Sequence, residues 1–182
     1  AKVKDEYVPV GSSALHLDNA SSLVPGDTVM VTRGQTDGWI KFLSANRPGI
    51  DWPVTFPQIR FDRVITSVTG NTVLLDAPIT TAIEARFGGA TVAKYAWPGR
   101  IAHCGVENLT ATCNFTRPDD EDHATDGIEV GAACNVFVSH FTGMHFTYSA
   151  VHIAPQAKWV TVTDSRCLDP VSIVAGARRY SF

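Results

Sequence analysis

The sequence predicts an all-β protein. Its C-terminal part is expected to be a right-handed parallel β-helix, preceded by a compact β-rich N-terminal unit with short helices. Three observations carry this. Short β-branched runs bounded by Gly, Pro, Asn and Asp recur along the chain. Only two short stretches have the spacing of an amphipathic helix. After Gly99, two kinds of short strand recur every 21–27 residues, a period that belongs to stacked coils.

In chain order, Val29–Thr32 follows the turn Pro25-Gly26-Asp27 and is predicted as a strand. Asp37 to Leu43 is predicted as a helix, with Asp37 as cap and Trp39, Ile40 and Leu43 on one face. Val64–Val68 and Thr72–Leu75 flank Gly70-Asn71 and are predicted as a hairpin, because the tight turn needs φ > 0. A second helix is predicted from Ile79 to Phe87, stopped by Gly88-Gly89. Trp97-Pro98-Gly99 closes this unit, which gives domains at 1–98 and 99–182.

Beyond that break, Leu109, Val136 and Val160 are expected in one inward ladder. Val130, Ile153 and Val174 are expected in another. The long first spacing has a visible source in the acidic insertion Arg117-Pro-Asp-Asp-Glu-Asp-His123. Apart from Asp126-Gly127, which precedes a strand with no close partner before it, no tight hairpin turn separates the C-terminal strands, which favours coils over an antiparallel sandwich.

Composition excludes several classes. The 182 residues are 45% hydrophobic, enough for a core, and only 18% charged, below the ~25% of an average domain. A net charge of -3 disfavours a nucleic-acid-binding surface. No apolar run reaches the ~18 residues of a membrane span. The start, AKVKDEYVPV, has no hydrophobic core region and no initiator Met, so a processed product is expected. Cys104, Cys113, Cys134 and Cys167 form no C-x-x-C pair. Disulfides and buried thiols both remain open for them. Glycosylation sequons at Asn19, Asn108 and Asn114 point to a secreted glycoprotein; the competing reading makes Asn108 and Asn114 turn residues.

The run Val106-Glu-Asn-Leu-Thr110 resembles the strand-and-turn repeat of pectate-lyase-like β-helix proteins. Further segments resemble one poorly characterised secreted branch of that superfamily. They are Tyr7-Val-Pro-Val-Gly11, Asp120-Glu-Asp-His-Ala124, Ala157-Lys-Trp-Val-Thr161 with Leu168-Asp-Pro-Val-Ser172, and Gly176-Ala-Arg-Arg-Tyr180. The resemblance implies a secreted protein with an extracellular polysaccharide as substrate or ligand. Lyases, glycoside hydrolases, epimerases and non-catalytic adhesins share the fold, so it does not fix the activity. The paired aspartates of polygalacturonases are missing, which argues against an inverting glycosidase.

The candidate chemistry centres on the acidic insertion. Asp120 and Asp122 are candidate Ca²⁺ ligands, since hard cations take clustered oxygens. His123, Asp126 and Arg166 are candidate catalytic residues. His123 follows the carboxylates and could take a proton from a sugar. Arg166, Arg178 and Arg179 are the basic candidates, with an Arg178–Asp169 salt bridge as the plainer role. Among aromatics, Tyr148 and Trp159 are candidates to stack on sugar rings. Phe141 and Phe146 are expected in the core or in turns, and Trp39, Trp52 and Trp97 in packing.

The expected function is therefore binding, with lyase-like cleavage as an extension, of an acidic polysaccharide. The alternative is a non-catalytic structural component of a cell-surface or extracellular assembly. Because an open coil edge exposes unpaired backbone groups, a second polypeptide or an identical chain is expected to stack on the C-terminal edge.

Overall fold

The computed structural model describes residues 1–44 and 58–173. Trp52, Val174, Arg178, Arg179 and the segment 176–180 lie outside the described residues. The chain divides into two compact units, Ala1–Ala96 and Trp97–Phe182.

The first unit is an antiparallel β structure. Its elements are β1 (Tyr7–Val8), β2 (Ala14–His16), β3 (Thr28–Arg33), α1 (Asp37–Ser44), β4 (Ile59–Thr69), β5 (Thr72–Leu75), β6 (Ile83–Glu84) and β7 (Ala90–Lys94). Five strands form one sheet in the order β2-β5-β4-β3-β7, and β1 pairs with β6. Alternation along β3 buries Val29, Val31 and Arg33 and places the two valines in a core with Leu15, Ile65, Val73 and Ile83. Each such aliphatic contributes roughly 1.5–3 kcal/mol.

The hairpin is present, with Thr69 paired to Thr72 and Gly70 at φ 58. Two local expectations are corrected. Thr36 caps α1, its hydroxyl accepting the Trp39 amide at 3.3 Å; Asp37 occupies the first helical position, where its charge still favours the helix N-terminus. The second helix shrinks to a 3₁₀ turn, Ala85–Phe87, after the strand Ile83–Glu84. Ile79 and Ile83 are instead fully buried core residues. The stop at Gly88 is as expected, left-handed at φ 96.

The second unit has three short parallel sheets. The strands are β8 (Ile101–Glu107), β9 (Thr110–Thr112), β10 (Asp126–Val130), β11 (Ala133–Ser139), β12 (Thr142–Met144), β13 (Ser149–Ile153), β14 (Lys158–Thr163) and β15 (Arg166–Leu168). The sheet orders are β14-β11-β8, β15-β12-β9 and β10-β13. Every strand thus pairs with its counterpart one repeat away. Val136 pairs with Cys104, 32 residues before it, and with Val160, 24 after it. The longer first interval contains the acidic insertion.

The ladders need correction. Val136 and Val160 do pair, but Cys104 takes the place predicted for Leu109. Leu109 follows the left-handed Asn108, sits in the turn between β8 and β9, and is 45% exposed. Val130 pairs with Ile153, yet Ile153 is 45% exposed; Ala150 and Val151, both fully buried, fill the core there.

Left-handed residues follow the same intervals. His103, Asn135 and Trp159 have φ 55, 54 and 56, each one residue before the Cys104–Val136–Val160 row. Asn108, His140 and Asp164 have φ 54, 51 and 47 where the first-sheet strands end. Asn, Asp and His tolerate this region better than other side chains. The repeat is therefore one of backbone shape as well as of hydrophobicity.

Candidate functional site

The acidic insertion is a structured loop. The Asp120 carboxylate is buried and accepts the Thr116 amide and hydroxyl, both at 2.8 Å, and the Asp122 amide at 3.0 Å. The backbone amides of Thr116 and Asp122, with the Thr116 hydroxyl, hold its pKa at about 2. Glu121 accepts the amide of Ile173. Arg117 and Asp119 form an exposed ion pair at 3.1 Å.

Asp120 therefore acts within its own loop. Among the described residues, no three His, Cys, Asp or Glu side chains come together to hold a metal ion.

His123 is also tied down. Its Nε2 lies 2.7 Å from the His145 carbonyl, and the Thr147 hydroxyl lies 3.3 Å from the same nitrogen. The Thr147 amide donates to the Ala124 carbonyl and the Tyr148 amide to that of Thr125. The ring and these bonds fasten the end of the insertion to the turn before β13. Arg166 lies at the start of β15, in register with Thr142 and exposed. Its amide donates to the Phe141 carbonyl, and no described contact joins it to His123 or Asp126.

Asp126 belongs to a different group. It opens β10 in register with Ser149, which opens β13. The buried Ser149 hydroxyl donates to Asp126 Oδ1 at 2.5 Å. Asp126 Oδ2 lies 3.4 Å from Nδ1 of His152. The side chain of Asp126 is 14% exposed and that of His152 is 48% exposed. Exposed Glu129 is the residue in register with His152. A nearly buried carboxylate held by a hydroxyl thus lies within ion-pair distance of an accessible imidazole.

The turn after His152 leads directly to an aromatic surface. The Ala157 amide donates to the Ala154 carbonyl at 2.9 Å and closes this turn. Lys158 and Trp159 then begin β14, with Lys158 Nζ 5.4 Å from the Trp159 ring centre and Trp159 half exposed. At the start of β8, Arg100 lies 5.2 Å from the exposed Trp97 ring and donates to the Gln156 carbonyl at 2.7 Å. On β11, Phe137 is 44% exposed and its ring lies over Gly105 of β8. A Cβ at Gly105 would come within 2.2 Å of that ring. Tyr148 is exposed, whereas Phe141 and Phe146 are buried. Trp39 packs against the guanidinium of buried Arg33 at 4.2 Å. The sequence did not single out Phe137, and it placed Trp97 in packing.

All four cysteines are free and partly buried; burial raises the pKa of Cys167. The three sequon asparagines are exposed. Asn19 accepts the Ser21 amide at 2.9 Å, and Asn108 is in a left-handed turn. Among the described residues, no helix is long and apolar enough to cross a membrane.

No protein-family model matches the chain, and no curated protein matches it. The chain is similar to solved tailspikes of bacteriophages. One is the tailspike of Acinetobacter baumannii bacteriophage AP22, solved with A. baumannii capsular saccharide. It is 12% identical at a TM-score of 0.49, over 92% of this chain and 33% of that one. The tailspike of Pseudomonas phage phi297 is 15% identical at a TM-score of 0.42, over 93% and 31%. That of Pseudomonas phage LKA1 is 11% identical at a TM-score of 0.38, over 91% and 28%. The chain spans about a third of the length of these proteins. Likeness at this level says nothing of the ligand of this chain.

Proposed function

We propose that the second unit consists of coils of a right-handed parallel β-helix of the pectate-lyase-like kind, and that it binds an acidic extracellular polysaccharide. The observation that carries the ligand class is the aromatic surface where β8 and β14 begin. Trp97 and Trp159 are both exposed, and each has a cation beside its ring. Apolar faces of sugar rings stack on such aromatic planes, while Arg and Lys pair with uronate carboxylates. The coil reading is supported by the recurrence of each strand in parallel register.

Titration with uronate polysaccharides, and with neutral polymers of matched backbone, tests the proposal by calorimetry and tryptophan fluorescence. Uronate polymers are expected to bind, and Trp159→Ala to weaken binding by about three- to tenfold, the worth of one aromatic contact. Lys158→Gln is expected to flatten the salt dependence. Equal affinity for neutral polymers would remove the acidic specificity. Absence of binding to any polymer would refute the reading.

A further inference from the structure

The first unit holds a cavity that the polysaccharide reading does not use. We infer that this cavity binds an alkylammonium group, held by the carboxylate of Glu6 and the ring of Tyr7. The site lies wholly within the antiparallel unit and stands independently of the proposal above.

The cavity has a volume of about 410 Å³ and is lined by Glu6, Tyr7, Glu84, Ala85 and Arg86, a size usual for small-molecule sites. It is built on the ladder of β1 and β6, in which Tyr7 is in register with Glu84 and Val8 with Ile83. Val8 and Ile83 are buried in the core, so the alternation of both strands sends Tyr7 and Glu84 to the opposite face. The Ala85 amide donates to the Glu6 carbonyl at 2.9 Å and continues the ladder by one bond. Tyr7 is 59% exposed, and it opens the segment Tyr7-Val-Pro-Val-Gly11 that the sequence singles out.

The charges of the lining are unevenly answered. Arg86 lies 2.7 Å through Nε and 2.6 Å through Nη2 from one oxygen of Glu84, Oε2. Its guanidinium is also stacked, 4.5 Å from the Phe87 ring centre and 5.3 Å from that of Phe42. Buried Arg33 interacts electrostatically with the same Glu84. Glu84 is thus answered by two guanidinium groups. Glu6 is exposed, and no described hydrogen bond or ion pair engages its carboxylate. Other carboxylates of this unit are held: Asp5 accepts the His16 amide, Asp18 the Lys2 amide, and Asp27 pairs with Lys94.

An ammonium on an apolar stem matches these features. Its N–H groups and charge pair with the Glu6 carboxylate in charge-assisted hydrogen bonds. The same charge is attracted to the face of the Tyr7 ring. The stem covers apolar surface of Ala85 and Tyr7. An anion would meet two carboxylates and find Arg86 already paired. A neutral alcohol would forgo both the ion pair and the attraction to the ring.

Calorimetry and ligand-observed NMR on the full chain, with pentylammonium, pentanol and pentanoate as probes, test the inference. Pentylammonium is expected to bind at millimolar concentration, pentanol about tenfold more weakly, and pentanoate not at all. Glu6→Gln should weaken pentylammonium binding by about tenfold. Tyr7→Ala should weaken it by about three- to tenfold, and Tyr7→Phe should retain it. Both side chains are exposed, so thermal midpoints should hold in all three variants. Nα-acetyl-lysine amide carries the same group. Tighter binding of pentylammonium would support a free amine as the natural ligand, and tighter binding of the lysine derivative a protein side chain. Equal binding of the three five-carbon probes, no binding of pentylammonium, or undiminished affinity in Glu6→Gln would overturn the inference. Each of these results would leave polysaccharide binding by the second unit untouched.

Discussion

Asp120 has both carboxylate oxygens occupied by its own loop, and this decides its behaviour with pH. Its folded pKa is lowered to about 2, below the ordinary carboxylate value, so the unfolded chain binds the proton first as pH falls. The stabilisation is complete above about pH 4 and is lost progressively towards about pH 2. Asp120→Asn should therefore increase proteolytic cutting between residues 116 and 123 at neutral pH. The difference from the parent chain should vanish near pH 2. An equal effect at both pH values would show that the carboxylate charge is not what holds the loop. The sequence singled out this residue for its type and neighbours. It could not show that Thr116 and two amides would satisfy it locally. The same limit hid a contact: Asp126 and His152 are 26 residues apart and meet only because Asp126 and Ser149 open successive strands in register. Shifting Asp126 by the 23 residues between Val130 and Ile153 does land on Ser149, so that signal was available.

At the scale of elements, legibility followed backbone regularity. The hairpin β4–β5 was readable because Gly70 and the β-branched runs point to one structure. Strand β8 was missed because His103, Cys104 and Gly105 replace the β-branched and aromatic run that marks β11 and β14. Leu109-Thr-Ala111 then matched the pattern of β11 and shifted the ladder by one element. Two glycines in these sheets separate packing from binding. A Cβ at Gly143 of β12 would lie 2.9 Å from Ala150 Cβ, 3.1 Å from its Cα and 3.2 Å from the Phe141 ring, all in the core. The backbone there cannot give way cheaply, and overpacking costs about 1–3 kcal/mol. At Gly105 the obstacle is the end of an exposed Phe137 ring, which can swing aside. Denaturant midpoints should thus fall clearly for Gly143→Ala and little for Gly105→Ala. Polysaccharide affinity should respond to Gly105→Ala, since that change lifts the Phe137 ring. A large stability loss in Gly105→Ala would mean that the ring is part of the packing.

At the scale of the whole molecule, each unit carries its own hydrophobic core. One runs from Val8 to Val92 and is built from antiparallel strands. The other runs from Val130 to Val151, with Cys104, Val160 and Cys167 packed against it, and is built from parallel ones. Leu15 is fully buried in the first, paired with Val73 across β2 and β5. Leu15→Ala removes three methyl-sized groups from a packed site, at a cost of about 2–5 kcal/mol. That is a large fraction of the roughly 5–15 kcal/mol that stabilises a typical domain. Hydrogen exchange resolved along the chain should then show protection lost across β2 to β7, while β11 and β13 keep theirs. The parallel unit should also still bind polysaccharide, because Trp97, Phe137 and Trp159 all lie within it. Loss of protection in β11 and β13 to the same degree would mean that the two cores unfold as one cooperative unit.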